Sequence, residues 1–238
     1  MGGGKRNNSL AGSEYRLSSI IHKRIMKFRE ENKDDDDLEW KCNMIRAGIS
    51  KEFWDIELDN FIGNKKVVDD VRKYCSKLEV AKEHGFGFLF MGLNGRGKTS
   101  MMMVILKEAL RQGYTAFYIT MPRIFKQIYL GWEYPNLVNE LNQIVRSVDF
   151  LAIGELGKDY HRKDSTEFAR AEFDCLFRER RELCLPIMMD TNYDKEDLEE
   201  TYGASLMSLF ESRMKFVEMK GRDYRKVVQS REWGILMS

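Results

Sequence analysis

Gly92, Gly97, Lys98 and Thr99 follow the spacing G-x-x-x-x-G-K-[ST] within Gly92-Leu93-Asn94-Gly95-Arg96-Gly97-Lys98-Thr99-Ser100. These residue types at this spacing suit a polyphosphate. Gly92, Gly95 and Gly97 allow the backbone to wrap an anion with its N–H groups turned inward. A helix that begins near Lys98 aims its positive end at the same point. Lys98 has the length to reach β- and γ-phosphates, and the Thr99 hydroxyl is a ligand for Mg²⁺. The chemistry predicted for residues 92–100 is the binding of a nucleoside triphosphate with its metal.

Such a loop must be held between a strand and a helix. Residues 86–91 are an apolar run that predicts a buried strand, and residues 99–111 predict the helix. Further strand-like runs lie at 115–120, 148–153, 186–190 and 216–220. Helical patterns lie between them at 121–130, 137–146, 165–181, 194–202 and 206–214, and one at 67–84 leads into the first strand. A loop is expected at 131–136. Strands alternating with helices predict an α/β fold, a parallel sheet covered on both faces. Ligands of such sheets belong at the C-terminal ends of the strands. Residues 92–100, Glu155 and Asn192 all fall at such ends. Asp149 opens its strand and is expected at the opposite edge.

The chain has 238 residues, which suits one domain with an extension. A hydrophobic fraction of 43% and a charged fraction of 32% fit a soluble protein, and the cysteines read as the reduced thiols of a cytoplasmic one. The net charge of +1 gives no global field toward nucleic acid. The four cysteines form no C-x-x-C pair, which argues against zinc. No apolar stretch is long enough to cross a membrane. Leu17, Ile21, Ile25 and Phe28 keep helical spacing in a helix expected from residue 13. Residues 30–39 hold seven acidic side chains and read as a solvated linker. Residues 38–49 predict another short helix. The division expected is a small helical extension over 1–48, suited to docking a partner protein, and a main domain over 49–238. Phe53, Trp54 and Phe61 either pack that domain or wall a base pocket.

From about residue 49 to 225 the chain resembles the DnaC/IstB branch of AAA+ ATPases, which includes bacterial and phage replicative helicase loaders. The stretches GLNGRGKTS, FLAIGELGKD, PIMMDTN, LFESRM and GRDYR carry the resemblance. It implies a P-loop AAA+ three-layer α/β/α core binding ATP and Mg²⁺. In that reading Gly92, Leu93, Asn94, Gly95, Arg96, Gly97, Lys98, Thr99 and Ser100 surround the phosphates, and Thr99 also serves the metal. Glu155 polarises the attacking water, and Asn192 senses the γ-phosphate. Arg213 is the arginine finger that enters a neighbouring subunit's site, and Arg225 stands near a second sensor. The implied function is a loader in DNA replication that assembles with copies of itself on single-stranded DNA and delivers a hexameric replicative helicase. The same core serves IstB-like transposition regulators, and a nucleotide-switched scaffold without hydrolysis also fits. Lys158, Tyr160, Arg162 and Lys163 join positive charge to an aromatic ring, the combination that suits single-stranded DNA.

One position departs from the family. Gly154 stands where the family places an Asp that helps hold Mg²⁺. The departure predicts that ATP binding survives while turnover falls, so ATPase activity is left open. On this reading Gly154→Asp raises turnover by about 10–100-fold. A protein already as fast as that variant would point to another acid, with Asp190 on the adjacent strand as the candidate.

Overall fold

Five short runs pair in parallel to make one sheet: β1 (Gly87–Met91), β2 (Ala116–Thr120), β3 (Phe150–Leu156), β4 (Ile187–Thr191) and β5 (Met214–Glu218). Their spatial order is β2-β3-β4-β1-β5. The computed structural model describes residues 17–61, 63–133, 135–157, 163–221 and 223–225, together with Trp233 and Met237. Helices connect the strands: α1 (Leu17–Glu31), α2 (Leu38–Arg46), α3 (Lys65–Cys75), α4 (Leu78–His84), α5 (Lys98–Arg111), α6 (Met121–Glu133), α7 (Pro135–Ser147), α8 (Lys163–Glu182) and α9 (Lys195–Arg213).

Alternation along each strand divides the core into two layers. Phe88 and Phe90 of β1, Ala152 of β3 and Met188 of β4 face α3 and α5, where Val71, Met101, Ile105 and Leu106 are buried. Leu89, Leu151, Ile153 and Met189 face the other way, against Phe125, Phe173, Phe177 and Phe210 from α6, α8 and α9. The three-layer α/β/α arrangement expected from the sequence is therefore present. Parallel strands put every C-terminal end on one edge, so the segments after β1, β3 and β4 open together.

Several boundaries differ from expectation for local reasons. The helix expected over 67–84 is two helices, α3 and α4, and the side chain of Asn64 caps the first by accepting from the Lys66 N–H. The two helices expected over 194–214 are one segment, α9, broken at Gly203 (φ 81°, ψ 153°). An Asp194–Asp197 capping box starts α9. The loop expected over 131–136 is short, because α6 runs to Glu133 and α7 begins at Pro135. The last strand begins two residues earlier than its apolar run suggests.

Near the start of the described chain, Ile25 and Phe28 of α1 pack with Cys42 and Ile45 of α2 and with Trp54. Met44, Ala47 and Ile49 join the same cluster as α5. The Tyr118 N–H donates to the Ala47 carbonyl at 2.8 Å. The acidic turn is tied by Lys41 Nζ, which donates to both carboxylate oxygens of Asp35 at 2.9 and 2.7 Å.

Two buried cations hold the frame. Lys107 of α5 is fully buried; its ammonium donates to the carbonyls of Trp54 and Ile56 and to Glu57. It fastens the segment before α3 to the helix that follows the glycine loop. Arg180 of α8, equally buried, donates to the carbonyls of Val145, Asp149 and Pro186. Burial pushes its guanidinium down to about 9, with Asp149 pulling the other way.

Candidate nucleotide site

The apolar run of β1 ends at Met91, and the chain then turns through Gly92–Gly97 into α5. Gly97 is the N-cap of α5 with φ 83°, a left-handed conformation open to glycine at little cost. A Cβ there would stand 2.6 Å from the Phe61 ring, so that aromatic lies directly on the loop. Phe53, Trp54 and Phe61 itself also pack against the core on the α5 side of the sheet. Lys98 is only 7% exposed. Its ammonium folds back onto the loop, donating to the carbonyls of Gly92 at 2.6 Å and Leu93 at 2.9 Å. It also donates to Asn192 Oδ1 at 2.9 Å, and Asn192 Nδ2 donates to Asn94 Oδ1 at 3.0 Å. The loop and the end of β4 are thus tied by side chains far apart in sequence. One guanidinium nitrogen of Arg96 is buried without a hydrogen-bond partner. A buried donor with no acceptor is costly.

Thr99 and Asp190 meet at the foot of the loop. The Thr99 hydroxyl donates to Asp190 Oδ2 at 2.5 Å, and the Glu155 N–H donates to Asp190 Oδ1 at 2.7 Å. Asp190 is 4% exposed. Burial pushes its carboxyl up, while Thr99, Glu155 and the charge of Lys98 pull it down; burial wins. A hydroxyl beside a carboxylate is a pair of hard oxygen donors and fits Mg²⁺.

Glu155 reaches this point through a bulge. Ile153 pairs with Met189 and Leu156 with Thr191, so β3 spends one residue more than β4 between those pairs. Such an insertion bends a strand and re-aims its side chains. Glu155 takes φ 62°, an uncommon conformation for a residue with a Cβ. Beside it, Gly154 lies against Tyr118 of β2. A Cβ on Gly154 would stand 2.5 Å from the Tyr118 hydroxyl oxygen and 3.0 Å from its ring. Burial pushes the Tyr118 phenol up, helped by the charges of Asp190 and Glu155.

The other expected site residues divide between the two edges of the sheet. Tyr224 N–H donates to the Gly95 carbonyl at 2.9 Å, which brings residues 223–225 onto the glycine loop. The Arg225 N–H is held by Asp223 Oδ1 at 2.9 Å, and that same carboxylate crowds Gly95 so closely that no Cβ would fit. Arg213 is on the far edge. It precedes Met214, which pairs with Gly87 at the start of β1. Five residues of β1 separate it from the loop, roughly 16 Å of strand. Its guanidinium donates to the His84 carbonyl at 2.7 Å and borders a cleft of about 500 Å³ shared with Lys73, Tyr74 and Lys215. Asp149 is also on that edge, as expected, bonded to Thr115 and Lys82. Lys158, Tyr160 and Arg162 lie outside the described residues; Lys163 opens α8. Among the described residues no helix is long and apolar enough to cross a membrane, and no group of three His, Cys, Asp or Glu is placed to hold a metal.

No family model and no curated protein sequence matches the chain. Solved structures do match. The crystal structure of the DnaC helicase loader superposes with a TM-score of 0.63 over 72% of this chain and 100% of that one, at 18% identity. This chain shares the fold of DnaC. The crystal structure of DnaI gives 0.57 at 18% identity over 73% of this chain and 93% of that one. The replication initiator DnaA, bound to AMPPCP and single-stranded DNA, gives 0.59 at 21% identity over 76% of this chain and 55% of that one. The match therefore spans about half of DnaA. Likeness at this identity shows the fold alone, and at that level the resemblance drawn from the sequence is borne out.

The sequence left two features of the site unseen. Tyr118 carries no motif, and only its position beside Gly154 makes it matter. Asp223 crowds Gly95 through a contact that joins residues 128 positions apart. Asp190 did leave a signal, a lone acid ending an apolar run.

Proposed function

We propose that this chain is an ATP-binding AAA+ helicase loader acting in DNA replication. The observation that carries the reading is the convergence of the glycine loop, Glu155 and Asn192 on one edge of a sheet whose fold is shared with the whole of the DnaC structure. ATP would bind with its phosphates on the N–H groups of residues 92–100 and on Lys98. Thr99 would serve the metal, which supplies positive charge to the β- and γ-phosphates. Glu155 would orient and polarise the attacking water, and Asn192 would read the γ-phosphate. Arg213, on the opposite edge, would complete the site of an adjacent copy, so the active form is an assembly. Residues 1–48 would dock the hexameric replicative helicase, and residues 158–163 would touch single-stranded DNA.

The test is a pull-down of the replicative helicase from the same replication system, with full-length protein and with residues 1–48 deleted, in ATP and without nucleotide. Full-length protein should retain the helicase and the deletion should lose it. Equal capture by both forms, or by neither, would sink the docking model. A parallel titration with single-stranded and duplex DNA should favour the single strand. Preference for duplex would turn the reading toward a transposition regulator.

A further inference from the structure

Gly154 leaves the glycine loop without an acid at the usual place on β3, yet an acid stands at the loop. We propose that the metal-positioning carboxylate has moved one strand over, to Asp190 on β4, and that Tyr118 fills the corner the β3 side chain vacated. The inference rests on the reading of residues 92–100 as an ATP site and deepens it.

Three observations support the exchange. First, Asp190 already holds the Thr99 hydroxyl at 2.5 Å. That hydroxyl has one hydrogen, which it gives to Asp190, so its lone pairs remain for a cation. Each Asp190 oxygen accepts one short hydrogen bond, from Thr99 or from the Glu155 N–H, and keeps a second acceptor direction. Second, the extra residue in β3 puts the Glu155 N–H on that carboxylate. The bulge and Asp190 hold each other, so Glu155 is aimed from the same point that serves the metal. Third, Tyr118 and a side chain at 154 exclude one another, since even a Cβ would stand 2.5 Å from the Tyr118 oxygen. Glycine is not required there by the backbone, because Gly154 has no positive φ. What disfavours a side chain there is Tyr118, which would have to shift. An amide at 190 keeps the shape and one acceptor oxygen but carries no charge. Replacing a carboxylate that serves structure alone would weaken binding equally with and without Mg²⁺. Replacing one that serves a dication would weaken it chiefly in Mg²⁺.

The experiment is a fluorescence titration with the mant derivative of ATPγS, in Mg²⁺ and in EDTA. Wild type should bind more tightly in Mg²⁺. Asp190→Asn should lose about 10–100-fold of that gain while its affinity in EDTA stays within about threefold of wild type. Tyr118→Val with Gly154→Asp, added to Asp190→Asn, should recover the Mg²⁺ gain. If Asp190→Asn fails to fold, the triple variant with Asp190→Ser reads the same point: recovery supports the exchange and its absence overturns it. A full Mg²⁺ gain in folded Asp190→Asn also overturns it. Failure of the underlying reading looks different: wild type itself would then bind no mant-ATPγS in either buffer, and Lys98→Ala would change nothing.

Discussion

The Tyr118 hydroxyl and the α-carbon of Gly154 share one corner between β2 and β3, with 2.5 Å left where a Cβ would have to stand. A carboxylate introduced at 154 must displace a half-buried ring. Gly154→Asp alone should therefore cost about 1–3 kcal/mol, the usual range for overpacking, and lower Tm by several degrees. It should not bring the increase in turnover that the motif alone predicts. Combining it with Tyr118→Val should recover most of the lost Tm. Equal Tm for Gly154→Asp and wild type in a melting scan would show that the ring moves freely.

Lys98 donates to Gly92, Leu93 and Asn192 and would exchange these hydrogen bonds for phosphate oxygens on binding ATP. Lys98→Ala should abolish mant-ATP binding. Asn192→Ala should bind normally and lose turnover by about 10²-fold, as expected for one donor used at the γ-phosphate. Phosphate release measured beside binding separates the two. Loss of binding in both variants would make Asn192 part of the cradle.

Arg213 lies on the edge away from its own loop and should act only across an interface. Arg213→Ala should bind mant-ATP like wild type yet be inactive alone. Mixing it with inactive Lys98→Ala should restore measurable phosphate release, since one partner offers an intact loop and the other an intact arginine. A mixture as silent as its components would remove Arg213 from the mechanism.

Asp149 clamps the start of the sheet: it accepts from the Thr115 N–H and hydroxyl at 2.8 Å and pairs with Lys82 at 2.6 Å. Burial raises its carboxyl, but Lys82 and Thr115 outweigh burial and hold it below the usual range. A carboxyl lowered on folding gives stability that is complete above its unfolded value, near 4, and lost as pH falls through the lower folded value. Asp149→Asn should therefore cost about 1.5–3 kcal/mol at pH 7. The gap should hold down to about pH 5 and narrow below 4. A gap that narrows already between pH 7 and 5 in urea melts would point to another group.

The fold was legible because continuous apolar runs alternate with helical spacing from residue 67 onward. Phe88 and Leu89 sort to opposite faces as the strand pleat requires. The glycine loop was legible because its chemistry is contiguous in sequence. The rest of the site is built from register. Tyr118 meets Gly154, and Asp190 meets Thr99, only because β2, β3, β4 and β1 align as they do. The one-residue bulge in β3 sets part of that alignment, and no side-chain type announces it. Lys107 and Arg180 were hidden for a related reason: a long cation among apolar residues reads as surface until its carbonyl partners are known.

In the proposed assembly, the break in α9 would govern how one subunit's occupancy is felt by the next. An unbroken helix of 19 residues would be a rod about 28 Å long, and a push near Asn192 would arrive undiminished at Arg213. Gly203 divides that rod into two short levers joined by a non-helical residue with positive φ. A tilt of the first half is absorbed at the joint. The stiff route that remains is β1, which is hydrogen-bonded on one side to β4, with Asp190 and Thr191, and on the other to β5, which follows Arg213 directly. In the proposed assembly, a message from the ATP site to an arginine offered to a neighbour would travel sideways through strand pairing, not lengthwise along the helix that connects them in sequence.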